Sequence, residues 1–311
     1  MSLLSLIAAL LLEQVHPLSA RKYLYGWLNS YVDFFQFHFN AGERKHGKIA
    51  WALAIGLPLL LVLAMYYILA AAHPFFAWAF SVLVLYFTMG FRQFSHYFTD
   101  IHKALRANKL DEARTLLSEW RGKSCIELNA EEVARVTIEQ ALLASHRHVF
   151  GVVTWFVLFM MVGLGPIGAI LYRLAHFLNA RWGILSREED GDFGVFARQA
   201  YHVMEWLPLR FTASTFAIVG DFEDTVYCWR TQSQSWPDPE GGILLASGAG
   251  ALGVLLGQNI IQDGLPEFRP ELGTGDAADA DFMQSAVGLV WRAMVFWLIM
   301  LLLLTLANLL G

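Results

Sequence analysis

The sequence predicts an all-α, polytopic membrane helical bundle with cytoplasmic amphipathic helices, and three observations carry that prediction. Of 311 residues, 56% are hydrophobic and 16% charged, where a soluble domain of this size carries about 25% charged residues. Uncharged runs of bilayer-crossing length recur along the chain. Basic residues gather between those runs: five in 21–48, nine in 90–148, six in 172–240, but none in the 73–74 turn and one in 262–285. The same composition excludes other classes. With 22 Lys and Arg against 27 Asp and Glu, there is no cationic surface for nucleic acid. Cys125 and Cys228 stand alone, so neither a disulfide framework nor a zinc site is expected, and both thiols are read as reduced.

Met1 to Leu12 is apolar without a basic n-region or a small-residue cleavage site, and reads as a retained, packed or shallowly inserted helix. Ile49 to Ala72 is an uncharged run of 24 residues, long enough at about 1.5 Å per residue to cross a core of roughly 30 Å. Its partner, 75–91, returns after a tight turn at His73-Pro74. Residues 92–148 read as a cytoplasmic helical insert within a single membrane domain, 1–311. Inside it, Lys103 to Trp120 has amphipathic spacing, and Asn129-Ala-Glu-Glu132 reads as a capping box opening a second helix toward His148.

Apolar sequence returns over 149–178, broken by Gly163-Leu164-Gly165-Pro166. Proline removes a backbone donor and glycine loosens the turn, so this segment is either kinked or re-entrant. Keeping the basic segments on one side favours the re-entrant form, because a straight span would put Arg173 to Arg230 outside. Phe193 to Trp206 looks amphipathic, and Pro208 suits the first turn of the short apolar stretch that follows. Residues 241–261 form an uncharged, small-residue run read as a span. Residues 262–284 form an acidic loop, and 286–310 the last span.

No Walker loop, Gly-x-Ser-x-Gly, His-Glu-x-x-His or Cys-x-x-Cys occurs. The Gly-Ala-Gly-Ala-Leu-Gly run at 248–253 lacks a strand–helix setting and reads as helix packing. The segment from His202 through Glu205, Trp206 and Pro208 to Arg210 joins ionisable and aromatic groups to an apolar helix. Arg173 and His176 follow the broken segment. Arg173, His176, His202, Glu205 and Arg210 are therefore the ligand-binding candidates, suited to a small anionic ligand or a membrane-protein partner beside the lipid bilayer. No catalytic residue, metal site or cofactor is predicted.

Several of these motifs resemble the adenosylcobinamide-phosphate synthase superfamily of the cobalamin pathway. Leu207-Pro208-Leu-Arg210 is similar to the synthases' Pro-Ala-Arg, Pro239 falls at the Pro of their Ser-Pro-Asn, and Ala249-Gly-Ala-Leu-Gly253 reproduces their Ala-Gly-Ala-Leu-Gly. Other positions depart from the pattern. Ala144–His148 stands where the synthases have Glu-Asn-Thr-x-Asp, Arg173–Asn179 at Lys-x-x-Asn-Thr-x-Asp, Tyr201-His202 at a paired Asp, Glu240 at an Asn and Leu245 at a Glu. With those acids replaced, the His202–Arg210 element looks closer to the AmpE-type branch. That resemblance implies a multi-pass protein of the bacterial inner membrane, a regulator or sensor of the β-lactamase-induction type without catalysis. The alternative it implies is an amide-forming synthase using Mg-ATP, with Glu139, Glu205 and Glu240 as substitute carboxylates. A second alternative is an accessory subunit of a membrane complex.

Overall fold

The structure, a computed structural model, describes residues 2–15, 21–185, 191–262 and 264–310. It bears out the all-α bundle, and three described helical stretches, 44–72, 130–161 and 280–307, are long and apolar enough to cross a membrane. Contacts group the chain into two compact units, one of 1–90 with 150–208 and one of 91–149 with 209–311.

In the first unit, α1 (Ser2–Val15) packs on α4 (Pro74–Thr88), and α2 (Arg21–Phe39) on α3 (Arg44–Ala72). The uncharged run that predicts the first span lies wholly inside α3, whose outward side chains include Leu57, Leu60, Leu61 and Ile68. Pro58 sits within this helix. It has no N–H to give the carbonyl four residues earlier, at Ala54. The Tyr31 hydroxyl of α2 donates to that carbonyl at 3.0 Å. The expected partner span 75–91 is shorter than predicted: α4 has 15 residues and stops where Met89 turns extended. At about 1.5 Å per residue it falls short of a hydrocarbon core of roughly 30 Å.

The broken segment 149–178 folds as a helical hairpin. Helix α8 (Gly151–Met161) ends in a turn, with Gly163 and Gly165 at φ +80° and +66°, and α9 (Ile167–Leu185) returns beside it. A Cβ on Gly151 would stand 2.3 Å from the Tyr172 hydroxyl, and one on Gly168 2.1 Å from the Trp155 carbonyl. One helix therefore advances four residues while the other retreats four, the register of an antiparallel hairpin. Its tip rests on the far end of α3, where the Tyr67 hydroxyl donates to the Gly163 carbonyl at 3.1 Å and the Tyr66 ring covers Gly165. At the near end of α3, Gly47 lies against the Phe193 carbonyl and Lys48 over the Phe196 ring at 5.7 Å. The residues after the hairpin thus return to the basic end of α3.

The second unit starts with α5 (Phe91–Arg106) and α6 (Leu110–Arg121). The single helix expected over 103–120 is two, because Asn108 adopts φ +55° between them, a conformation asparagine tolerates better than most residues. The capping box is present as predicted: Glu132 N–H donates to Asn129 Oδ1 at 2.9 Å, and Asn129 N–H to Glu132 Oε2 at 2.7 Å. It opens α7 (Ala130–Ser145), which continues through a π-helical turn at His146–Phe150 into α8. Pro208 does not begin a helix; it lies inside α10 (Val195–Val219). After α11 (Phe222–Gln232) comes α12 (Pro239–Leu252), opened by Asp238, whose carboxylate accepts from Gly241 N–H at 3.1 Å.

The predicted span 241–261 is not one helix. Gly253 closes α12 at φ +64° after 14 residues, and the chain turns into short strands. Strand β1 (Val254–Gly257) pairs with β4 (Glu271–Leu272) and β5 (Asp276–Ala277), and β2 (Ile260–Gln262) with β3 (Leu265–Glu267). The small residues serve close packing: a Cβ on Gly250 would reach the Asp224 carbonyl at 2.5 Å and one on Gly248 the Leu142 side chain at 2.5 Å. Long apolar α13 (Ala280–Leu310) follows and packs on α5 and α7.

One buried ion pair ties the strands to α7. Arg269 reaches both oxygens of Glu139, at 2.8 and 2.9 Å, and donates to the carbonyls of Gly257 and Gln258 at 2.7 and 3.1 Å. Gly257 N–H completes Glu139 at 2.8 Å, and the Arg269 guanidinium lies 5.4 Å from the Trp236 ring centre. Gln258, held at φ +60°, accepts from Arg135 at 2.6 Å and donates to Glu271 at 2.8 Å. Gly264 N–H donates to Glu127 at 3.2 Å, and Arg106 bonds Asp281. These bonds hold 262–285 against the 92–148 insert, and the stop at Gly253 leaves no single helix over 241–261.

Two outcomes follow. Arg269→Ala, which leaves Glu139 buried and uncompensated, is expected to cost about 3–5 kcal/mol and to speed proteolysis between 254 and 279, measured by thermal unfolding and limited digestion in detergent. In sealed vesicles, cysteines at Lys123 and Phe268 are expected to react with an impermeant maleimide from one and the same side. Opposite sides would restore a span between them. Background labelling is expected to be low because Cys125 and Cys228 are buried, and burial pushes the Cys228 thiol up.

Candidate functional site

In the first unit, three interhelical contacts bring polar side chains together. Trp155 and Gly151 share one face of α8, a turn apart. Pro208 leaves the Met204 carbonyl of α10 without its helical donor, and the Trp155 indole N–H supplies one at 3.2 Å. This fixes the turn of α10 that carries Glu205, which is 2% exposed. Gly151 clears space for the Tyr172 ring of α9, which sets the Tyr172 hydroxyl near Glu205 and Tyr201. The His176 ring, one turn along α9, meets the Tyr201 ring edge-on at 5.4 Å. The result is a cluster of buried Tyr172, Tyr201 and Glu205 with half-buried His176 at its edge, bringing together one carboxylate, two hydroxyls and an imidazole.

The five sequence-predicted ligand residues are distributed unevenly. His176 and Glu205 join the cluster, each through a tyrosine. Arg173 is half-buried on α9, between Tyr172 and His176 in sequence, and His202 is exposed on α10. Arg210 lies past Pro208, in the second unit. Tyr172, Tyr201, Trp155 and Gly151 were not singled out as site residues. Nothing in composition separates these aromatics from others in an apolar sequence, although Pro208 inside a helix marks Met204 as a carbonyl in need of a donor.

The substitute carboxylates also separate. Both oxygens of Glu139 are taken by Arg269 and Gly257. Glu240 is half-buried in the first turn of α12, where negative charge suits the helix terminus. Glu205 alone of the three lies in the tyrosine cluster. Among the described residues no three His, Cys, Asp or Glu side chains gather as a metal site.

Trp155→Phe is expected to cost about 1–2 kcal/mol, the scale for orphaning a buried acceptor. Pro208→Ala in the same protein restores the helical donor and is expected to recover part of that loss. Thermal unfolding of the two single variants and the double variant measures the coupling, and strict additivity would sever the link between indole and proline.

Comparison with known proteins gives these residues a family. The sequence model of the family described as CobD/Cbib protein matches residues 3–290. The chain is 35% identical over 310 residues to the cobalamin biosynthesis protein CobD of Stutzerimonas stutzeri, covering 96% of each chain. It is 36% identical over 248 residues to the CobD of Chromobacterium violaceum, covering 80% of this chain and 72% of the relative. The cobalamin biosynthesis protein CbiB of Salmonella typhimurium is 23% identical over 257 residues, covering 80% and 78%. No solved structure matches. These relatives are named for cobalamin biosynthesis and none for signalling, which overturns the reading of the chain as an AmpE-type regulator. With three apolar helices of spanning length and a family match over nearly its whole length, the chain is a membrane protein that belongs to the CobD/CbiB family.

Proposed function

We propose that this protein acts in cobalamin biosynthesis as an amide-forming synthase, joining an aminoalkyl phosphate to a corrinoid carboxylate. We place it in the bacterial inner membrane as a multi-pass protein. The observation that carries the reading is the 35% identity to a protein named for cobalamin biosynthesis over 96% of both chains. An aminoalkyl phosphate presents an ammonium and a phosphate. The buried Glu205 carboxylate, near Tyr172, suits the ammonium, and Arg173 suits the phosphate. His176 and His202, in the same unit, complete the ligand residues proposed there, and Arg210, in the second unit, is left outside that set. Lipid is the constant partner, and no membrane-protein partner is required by this reading.

Magnesium brought in on a nucleotide is held mainly by the phosphates and water and takes only one or two carboxylates from the protein. Glu139, engaged by Arg269, is not open to that role.

Expression in a cobalamin auxotroph lacking its own family member is expected to restore growth, and purified protein supplied with ATP and magnesium to join a corrinoid acid and the aminoalkyl phosphate in an amide, the carboxylate oxygen leaving on the phosphate released from ATP. Glu205→Gln is expected to lower that conversion about tenfold or more, the loss of a charge-assisted contact. Folded protein that neither restores growth nor forms the amide would overturn the assignment.

A further inference from the structure

Helix α2 divides into three faces. At about 100° per residue, Leu28, Tyr31, Val32, Phe35 and Phe39 lie together, and within this group Val32 and Phe35 are buried and Tyr31 bonds α3. Asn29, Asp33 and Gln36 form a second, polar face, whose Asp33 accepts from Arg181 at 2.6 Å. The third face carries Trp27, Phe34 and Phe37, at 63%, 53% and 85% exposure. Among the described residues these rings stay exposed. The three directions are roughly 120° apart, so one side of the helix meets protein, one is polar and one is aromatic.

We propose that α2 lies in the lipid–water interface of the membrane, its polar face to water and its Trp27, Phe34 and Phe37 rings in the lipid. Three observations choose lipid as the occupant. The bond from Tyr31 to Ala54 fixes depth: Ala54 is five residues beyond Ile49, where the uncharged run of α3 begins. At about 1.5 Å per residue this is near 8 Å, within the 5–10 Å at which interfacial helices sit. The polar groups on the aromatic face turn back on their own helix. Ser30 donates to the Gly26 carbonyl at 3.2 Å, and His38 Nδ1 bonds the Phe34 carbonyl at 2.8 Å. This leaves the aromatic face with few polar demands on its surroundings. Finally, exposed Arg44, Lys45 and Lys48 follow directly at the start of α3, where they meet anionic headgroups. The polar face argues against a membrane-crossing α2, since Asn29, Asp33 and Gln36 would then lie in hydrocarbon.

The test uses the full chain in nanodiscs of phosphatidylethanolamine and phosphatidylglycerol with brominated acyl chains. The emission lost between the wild type and Trp27→Phe isolates the Trp27 signal. It is expected to be quenched at least about twofold more by bromine near the glycerol end than by bromine near the chain end, and little by aqueous iodide. Strongest quenching at the chain end would mean a crossing helix. Iodide quenching without bromine quenching would put the face in water, and protection from both would mean a protein surface; each overturns the proposal. Phe37→Cys with a spin label gives a second reading that does not depend on Trp27. Accessibility to oxygen above that to a water-soluble nickel complex is expected, and the reverse would count against lipid contact.

Discussion

A backbone carbonyl that loses its helical donor in apolar surroundings must find another, and much of the first unit is arranged around that requirement. Two prolines lie inside its helices, Pro58 in α3 and Pro208 in α10, and each releases the carbonyl four residues before it. In both cases the donor is an aromatic side chain from a neighbouring helix: Tyr31 for Ala54 and Trp155 for Met204. The hairpin turn repeats the solution with Tyr67 and Gly163. Each donor is amphipathic, apolar over most of its surface with one polar tip, so it satisfies the acceptor while packing as a hydrophobic group. The helices are thereby held in register at their points of interruption, and the cluster at Glu205 stands beside one of them.

The second unit handles buried polarity differently. Its interruption is a run of short strands, too irregular to be served by single aromatic donors. One guanidinium answers four needs at once, binding both oxygens of Glu139 and the carbonyls of Gly257 and Gln258. A buried ion pair contributes little net stability over an apolar substitute, but it is strongly directional. Here direction is what the chain requires: Gln258 is held in a left-handed conformation unusual for its type, and Gly257 lies too close to the Pro270 carbonyl for any side chain. Arg269 is the one basic residue of 262–285, the scarcity of charge that suggests an external loop. Its charge is spent on Glu139, and a count of basic residues cannot see a pairing across 130 positions.

How much was legible follows from the range of the interactions. The α3 run, the final helix, the Asn129 capping box and the turn at Gly163–Pro166 are decided within a few residues, and sequence reading found all of them. The choice between a kink and a hairpin needed the charge distribution as well, and the structure has the hairpin. What failed depended on distant partners. An uncharged small-residue run reads as a span by composition, yet its glycines serve close contact with α11 and Leu142, and Gly253 ends the helix early. Pro208 has the chemistry of a helix start and sits in a helix interior because Trp155 compensates for it. In the candidate site, His176 and Glu205 were visible as ionisable groups in apolar sequence. The tyrosines that connect them were not, because only the fold brings Tyr172 to Glu205.

Family and site chemistry then have to be weighed together. The replaced acids suggested that the reaction had been lost, yet identity over nearly the whole chain ties this protein to relatives named for cobalamin biosynthesis. The structure narrows the conflict. Of the three substitute carboxylates, one is sequestered by an arginine and one sits in a helix's first turn. Only Glu205 is both buried and set among hydroxyls, where a carboxylate has strong local leverage on a bound cation. The argument for lost chemistry assumed acids in the positions where the synthases carry them. A single buried carboxylate near Tyr172 on a proline-interrupted helix is a different arrangement, which a count of acids does not describe.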